Sequence, residues 1–339
     1  MDVVLAIVLF VVGLLLIIKG GDWFVDAASW IAEKFGIPKF IIGATIVSLA
    51  TTLPELLVSV IAAAGGSSEM AIGNAVGSVT ANTGLIMGIS MICLPTAISR
   101  KDYGFKGILL IVTCALLYVL CLNGILPVWG AFVVLLCCVV FMTENVFAAK
   151  KEMLKGKELS DGMTEVKAET EEEDEKSKKS SKREVVFSIG KFIIGAAGIV
   201  GGAQLLVTYG QKLAYLIGIP ESIVALTMVA IGTSLPELVT TITAIKKKEA
   251  GLSVGNIIGA NIIDLSLILP VCAFVGAKNG GLTVSPLEQT LYLDFPVCLG
   301  LTLIAIVPTL VFGKYRRWQG ILLCGLYVAY VVVLCLGIF

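Results

Sequence analysis

Thr51-Thr52-Leu53-Pro54-Glu55 and Thr233-Ser234-Leu235-Pro236-Glu237 are one polar phrase written twice, each time inside an apolar stretch of membrane length. A carboxylate beside a helix-breaking proline is costly in hydrocarbon, and two in matching positions indicate a buried cation site shared between internal repeats. Each phrase is followed by a Gly-Asn-x-x-Gly stretch, at 73–77 and 255–259, and then by a second polar residue, Asn82 or Asp264. Laying residues 36–82 on residues 218–264, an offset of 182 without a gap, gives 15 identities in 47 positions. Gly36-Ile37-Pro38 falls on Gly218-Ile219-Pro220, Thr45 on Thr227, and Pro54-Glu55-Leu56 on Pro236-Glu237-Leu238. Generic apolar similarity aligns Leu with Val; it does not align Pro-Glu with Pro-Glu, so this is an internal repeat.

The rest of the chain agrees with a membrane setting. Of 339 residues, 57% are hydrophobic and 15% charged, against about 45–50% and about 25% in an ordinary soluble domain. Most apolar residues fall in runs that reach the roughly 20 residues a spanning helix needs. The formal net charge of +0 and the lack of a basic face exclude a nucleic-acid partner. The start, Met1-Asp2-Val3-Val4-Leu5, has no positive flank and no small-residue cleavage site after it, so it reads as a first membrane helix and not a signal peptide. Nine cysteines lie in or beside apolar runs without metal-ligand spacing and read as packing residues. With His 0, carboxylates are the titrating groups left for the membrane interior.

The expected fold is an all-α polytopic membrane protein with ten transmembrane helices arranged as two inverted five-helix repeats. Spans centre on 3–33, 39–64, 70–95, 104–123, 126–148, 186–210, 221–245, 250–275, 289–312 and 318–338. Residues 1–148 form the first repeat, with its ion-binding motif at 45–90; residues 186–339 form the second, with its motif at 227–272. The linker between them, 149–185, is read as a solvated, partly disordered segment, since 21 of the 50 formal charges lie in 150–184. Five spans per half make the halves enter the membrane in opposite senses. With both termini outside, short inner loops collect Lys34, Lys39, Arg100, Lys101, Lys106, Lys246, Lys247, Lys248, Lys314, Arg316 and Arg317, and outer loops only Lys212 and Lys278. That is a positive-inside pattern with the linker cytoplasmic, in a cell (plasma) membrane.

Proline has no N–H to donate, so Pro54 and Pro236 free the carbonyls of Ala50 and Gly232. Ser48, Thr51 and Glu55 share one helix face by three- and four-residue spacing, as do Thr233 and Glu237. Hydroxyls, freed carbonyls and a carboxylate make an all-oxygen set suited to a hard cation such as calcium. Ser78 shares a face with Asn82, and Ala260 with Asp264. Crossing of these helices would bring Glu55, Glu237, Asn82 and Asp264 around one point. Two ionised glutamates there would repel; one divalent cation, two monovalent cations or protons relieve the conflict equally, which is a basis for exchange. Asp22, Asp26 and Asp294 read as structural, and Glu144 as interfacial.

These motifs resemble the α-repeats of the sodium/calcium exchanger group of the cation/calcium exchanger superfamily. The closest matches are Gly232-Thr233-Ser234-Leu235-Pro236-Glu237 and Gly77-Ser78-Val79-Thr80-Ala81-Asn82. The resemblance implies a calcium site of Glu55, Glu237, Thr51 and Thr233. It also implies sodium or counter-ion sites that use Ser48, Thr52, Ser78, Asn82, Ala230, Ser234 and Asp264, and sliding of spans one and six across the other eight. Residues 50–52 read Ala-Thr-Thr where the family has Gly-Thr-Ser, and Ala260 stands where its second repeat usually has serine. A methyl group does not ligate sodium, so the number of sodium ions and the coupling ion stay open. The expected activity is secondary antiport of calcium for sodium, with no enzymatic reaction and no cofactor. The partners are small inorganic cations and membrane lipid, and the oligomeric state is left open. A calcium/proton antiporter on the same carboxylates is the alternative. A cation channel or ion-sensing membrane protein is the alternative of a different class.

Overall fold

A computed structural model describes residues 3–95, 97–164, 173–216, 234–276, 280–284 and 287–336. In chain order the helices are α1 (Val3–Phe35), α2 (Lys39–Thr51 and, after a 45° bend, Leu53–Ala64) and α3 (Ser68–Cys93). Then come α4 (Arg100–Cys121), α5 (Val128–Thr164) and α6 (Glu173–Leu216). The series ends with α7 (Leu235–Lys246), α8 (Ala250–Val275), α9 (Leu287–Phe312) and α10 (Arg317–Cys335). Among the described residues, eight helices are long and apolar enough to cross a membrane, or nine when bent α2 counts as one span. The expected count is ten. The difference lies in the seventh span, of which residues 221–233 fall outside the described residues and α7 keeps 12.

Three expectations need correction. The fold is not wholly helical: β1 (Ile125–Pro127) pairs antiparallel with β2 (Gly281–Thr283), joining the connection after α4 to the one after α8. Gly281 has φ +146° and stands against the Leu126 carbonyl, a place with no room for a side chain. The described parts of the charged linker are helix, since α5 runs on to Thr164 and α6 starts at Glu173, while residues 165–172 lie outside the described residues. Its Lys and Glu are good helix formers, so high charge did not mean loop. Lys106 is not a loop residue: it sits inside α4, 1% exposed, 2.9 Å from Glu144 of α5 and over the Phe40 ring at 5.2 Å. Burial of a lysine is tolerable when its charge is paired.

The helices form a layered bundle. The most hydrophobic windows of α3 and α8 are 72% and 83% buried, against 22% for those of α1, α6 and α10. The two helices that carry the Gly-Asn-x-x-Gly stretches are therefore the centre, and α1, α6 and α10 present apolar faces outward, as a lipid-immersed bundle requires. In α8, Gly255 stands against the Phe40 carbonyl and Gly259 against Ser48 and Ala44, so α8 lies backbone-close to the first part of α2. In α1 and α6, Gly20 meets Gly195, and Gly13 meets Gly202 and Leu205, which makes these two helices a tight pair. A smaller apolar cluster packs Phe24, Val25, Ala28 and Ile199 of this pair against Ile42 and Val47 of α2, Ala244 of α7 and Leu252 of α8, while most buried residues join one large core. Asp22 and Asp26 of α1 are tied to Lys247 beyond α7, Asp26 at 2.7 Å, so their structural reading fits. Asp294 accepts from the Tyr330 hydroxyl at 2.9 Å.

Candidate ion-binding site

The proline phrases do the same thing to both halves. Thr52 (φ −85°, ψ −1°) and Ser234 (φ −86°, ψ 5°) lie in the sparsely populated bridge region, and a fresh helix starts at the next residue, with Pro54 or Pro236 at its second position. Glu55 and Glu237 are thereby third in their new helices, in the first turn, where unpaired backbone N–H groups and the helix dipole favour negative charge. The carbonyl of Ser48, one turn ahead of the break, accepts from the Thr52 N–H at 2.9 Å and from the Thr52 hydroxyl at 2.8 Å.

The crossing helices are distorted at matching points. A π-helical segment begins at Asn82 in α3 (Asn82–Met87) and another at Asp264 in α8 (Asp264–Ile268), residues that are 182 apart. A third covers Gly43–Val47, directly ahead of Ser48. In α8 the cause is visible: Pro270 follows the widened turn, and its ring and missing N–H disfavour an ordinary α turn before it. Such bulges leave backbone carbonyls weakly satisfied and are frequent where helices line functional sites.

These devices bring polar side chains together in the core. Ser48, Thr51, Thr52, Glu55, Ser78, Asn82, Ser234, Glu237 and Asp264 are each no more than 3% exposed. Glu55 lies within electrostatic range of Glu237 and Asp264, and the Thr51 hydroxyl adjoins the Glu237 carboxylate. Both carboxylate oxygens of Glu55, Glu237 and Asp264 have no hydrogen-bond partner, nor do Ser78 Oγ, Ser234 Oγ and Asn82 Oδ1. None of the three acids takes part in an ion pair among the described residues. An unsatisfied buried polar atom costs about 1–3 kcal/mol, more when charged. A set of orphaned oxygens of this kind is therefore unfavourable unless something positive and oxygen-seeking binds there. Among the described residues no three His, Cys, Asp or Glu side chains are grouped to hold a single ion, so any cation would also draw on hydroxyl and carbonyl oxygens. The thiols do not offer an alternative here: Cys114 and Cys298 pack on each other at 3.8 Å as buried residues.

Of the residues singled out in the sequence, Thr233 and Ala230 lie outside the described residues. Ser48, Thr51, Thr52, Glu55, Ser78, Asn82, Ser234, Glu237 and Asp264 are all buried, and Ala260, 0% exposed, is on the same helix as Asp264. Two further residues belong beside it. Asn256 accepts from Thr51 Oγ1 at 3.3 Å, which links α8 to α2. Asn74 Nδ2 donates to the Glu55 carbonyl at 3.2 Å and to Ser59 Oγ at 2.9 Å. The repeated Gly-Asn dipeptide marks both positions in the sequence. Asn261 of α8 also reaches Thr83 of α3 at 2.8 Å; Asn261 falls on Val79 and Thr83 on Leu265, so the repeat gave no signal for this pair.

Comparison with known proteins follows the same lines. A family model described as "Sodium/calcium exchanger protein" matches residues 5–146 and 187–336, one block in each half. The sodium/calcium exchanger MaX1 of Methanosarcina acetivorans is 32% identical, over 96% of this chain and 97% of its own. An uncharacterised membrane protein of Methanocaldococcus jannaschii, MJ0091, is also 32% identical, over 98% of this chain and 99% of its own. A solved structure of the sodium-calcium exchanger NCX_Mj, soaked with 10 mM Na+ and no Ca2+, superposes with a TM-score of 0.80 at 30% identity, covering 98% of this chain and 99% of that one. With both halves matched, and relatives matched over nearly their full length, the chain is a multi-pass membrane protein of cation exchange transport and belongs to the sodium/calcium exchanger family.

Proposed function

We propose that the protein exchanges calcium for sodium across the cell membrane by alternating access at the buried carboxylate cluster. The observation that carries this reading is the pair Glu55 and Glu237: equivalent residues, buried in the core, with all four carboxylate oxygens unpartnered. Calcium would be held by Glu55, Glu237, Thr51 and Thr233. Sodium would use Ser48, Thr52, Ser78, Asn82, Ala230, Ser234 and Asp264. Moving a divalent cation outward against the membrane potential costs about 4.6 kcal/mol per 100 mV, twice the figure for one charge. Inward sodium movement would supply that energy. Ten spans in two inverted halves, both termini outside and 149–185 inside, complete the reading, supported by the lysine and arginine distribution. The tight α1–α6 pair is the element that would shift.

A proton-coupled version has one observation in its favour. Ala260 occupies the place that matches Ser78, so the second half offers a methyl where the first offers a hydroxyl. The deciding experiment is calcium uptake into proteoliposomes. Uptake driven by sodium inside and none outside supports the proposal; uptake that follows only an imposed pH difference supports the proton version. Calcium flux that needs no counter-ion gradient would point instead to a channel.

A further inference from the structure

The repeats match in sequence, yet their buried asparagines are wired differently. In the first half, Asn74 uses its NH2 group, donating to Ser59 Oγ at 2.9 Å and to the Glu55 carbonyl at 3.2 Å, while its Oδ1 has no partner. In the second half, Asn256 uses its oxygen, accepting from Thr51 at 3.3 Å, while its Nδ2 has no partner. The residue that matches Ser59 is Thr241, on the helix facing Asn256. Its hydroxyl, 0% exposed, is also unpartnered. A helical threonine ordinarily bonds back to the carbonyl four residues earlier, as neighbouring Thr240 does to Pro236 at 2.7 Å; Thr241 does not. So the bond made in one half, asparagine amide to hydroxyl, is open in the other with donor and acceptor both buried.

Buried donors and acceptors rarely stay unmatched in every state of a protein. Inverted repeats of one fold are equivalent in plan, so a local bond made in one half has a matching place in the other. We infer that Asn74 and Asn256 are positioning residues of a hydrogen-bond exchange that accompanies switching. In the state described, Asn74 holds Ser59 and the Glu55 carbonyl. In the alternate state Asn256 holds Thr241 and the Glu237 carbonyl, and Asn74 lets go. Each glutamate backbone is thus clamped in one state and released in the other. Ser59 and Thr241 bias the two states in opposite directions. This inference rests on the transport reading above.

The test uses Ser59→Ala and Thr241→Val in proteoliposomes of known orientation, reading the apparent KM for calcium at each face. Each variant removes a bond from one state only, so the ratio of the two KM values should move about three- to tenfold, in opposite directions for the two variants, as loss of one buried hydrogen bond predicts. Ser59→Thr and Thr241→Ser keep the hydroxyl and should keep the wild-type ratio. Shifts of the same sign, or no shift with unchanged transport, would overturn the inference while leaving the proposed function intact. Should the wild type carry no calcium, the transport reading fails by itself. The bond exchange is then read from amide hydrogen exchange of α2 and α7, where Ser59→Ala and Thr241→Val must again shift protection oppositely or the inference falls with it.

Discussion

Glu55 and Glu237 stand 182 residues apart in sequence and occupy one structural position twice, third in a helix restarted around a proline, with no hydrogen bond to any carboxylate oxygen. Charge neutralisation there separates binding from stability. In Glu55→Gln or Glu237→Gln, calcium transport is expected to vanish. The thermal midpoint in chelator should stay level or rise, because an orphaned buried carboxylate is no longer present. The wild type should gain about 2.7 kcal/mol at calcium a hundredfold above its Kd, and the variants none. Thermal melts with and without calcium measure this, and full transport by either variant would remove these glutamates from the site.

Ala260 lies in the core beside the cluster and matches Ser78. A hydroxyl restored by Ala260→Ser adds an oxygen ligand, so the sodium concentration for half-maximal calcium exchange should fall several-fold. Calcium KM measured with sodium on the opposite face only should hardly change. A sodium response identical to wild type would show that this position is not part of the counter-ion path.

Gly255 has no room for a methyl group, since its Cβ would run into the Phe40 carbonyl. Backbone cannot step aside as a side-chain tip does. Gly255→Ala should therefore destabilise by about 1–3 kcal/mol and slow transport, because α8 would be pushed off the half of α2 that carries Thr51. Melting temperature and transport rate of the purified variant check both parts.

The Lys106–Glu144 pair is lopsided: the lysine side chain is 1% exposed and the glutamate 30%. Glu144→Gln strands a charge with no route to water and should cost up to about 3–5 kcal/mol, whereas Lys106→Met leaves a glutamate that still reaches solvent and should cost less. Equal losses, measured by thermal melts of both variants, would contradict the burial asymmetry.

The apolar cores of the described helices were legible because runs in a membrane protein are bounded by what lipid tolerates, although α5 and α6 run on into the charged linker. The expected 250–275 and the observed Ala250–Val275 coincide. Glu55 with Glu237, Thr51 with Thr233 and Thr52 with Ser234 stood out because the repeat doubled their signal. What escaped had other causes. The β1–β2 ribbon involves three residues per strand, too short for any alternation to register. Burial of Lys106 depends on a partner 38 positions away, which no local pattern reports. The asymmetry of Asn74 and Asn256 could not be read from repeats at all, since identical residues are what conceal it.

The central placement of α3 and α8 has a bearing on how the chain is assembled. Each is the innermost helix of the bundle, and each belongs to a different half, so the main core is made only where the two meet. A fragment ending before α6 would leave α3 with its polar stripe facing acyl chains. Neither half is then an autonomous folding unit; separately synthesised halves would have to find each other in the bilayer before either acquired a stable interior.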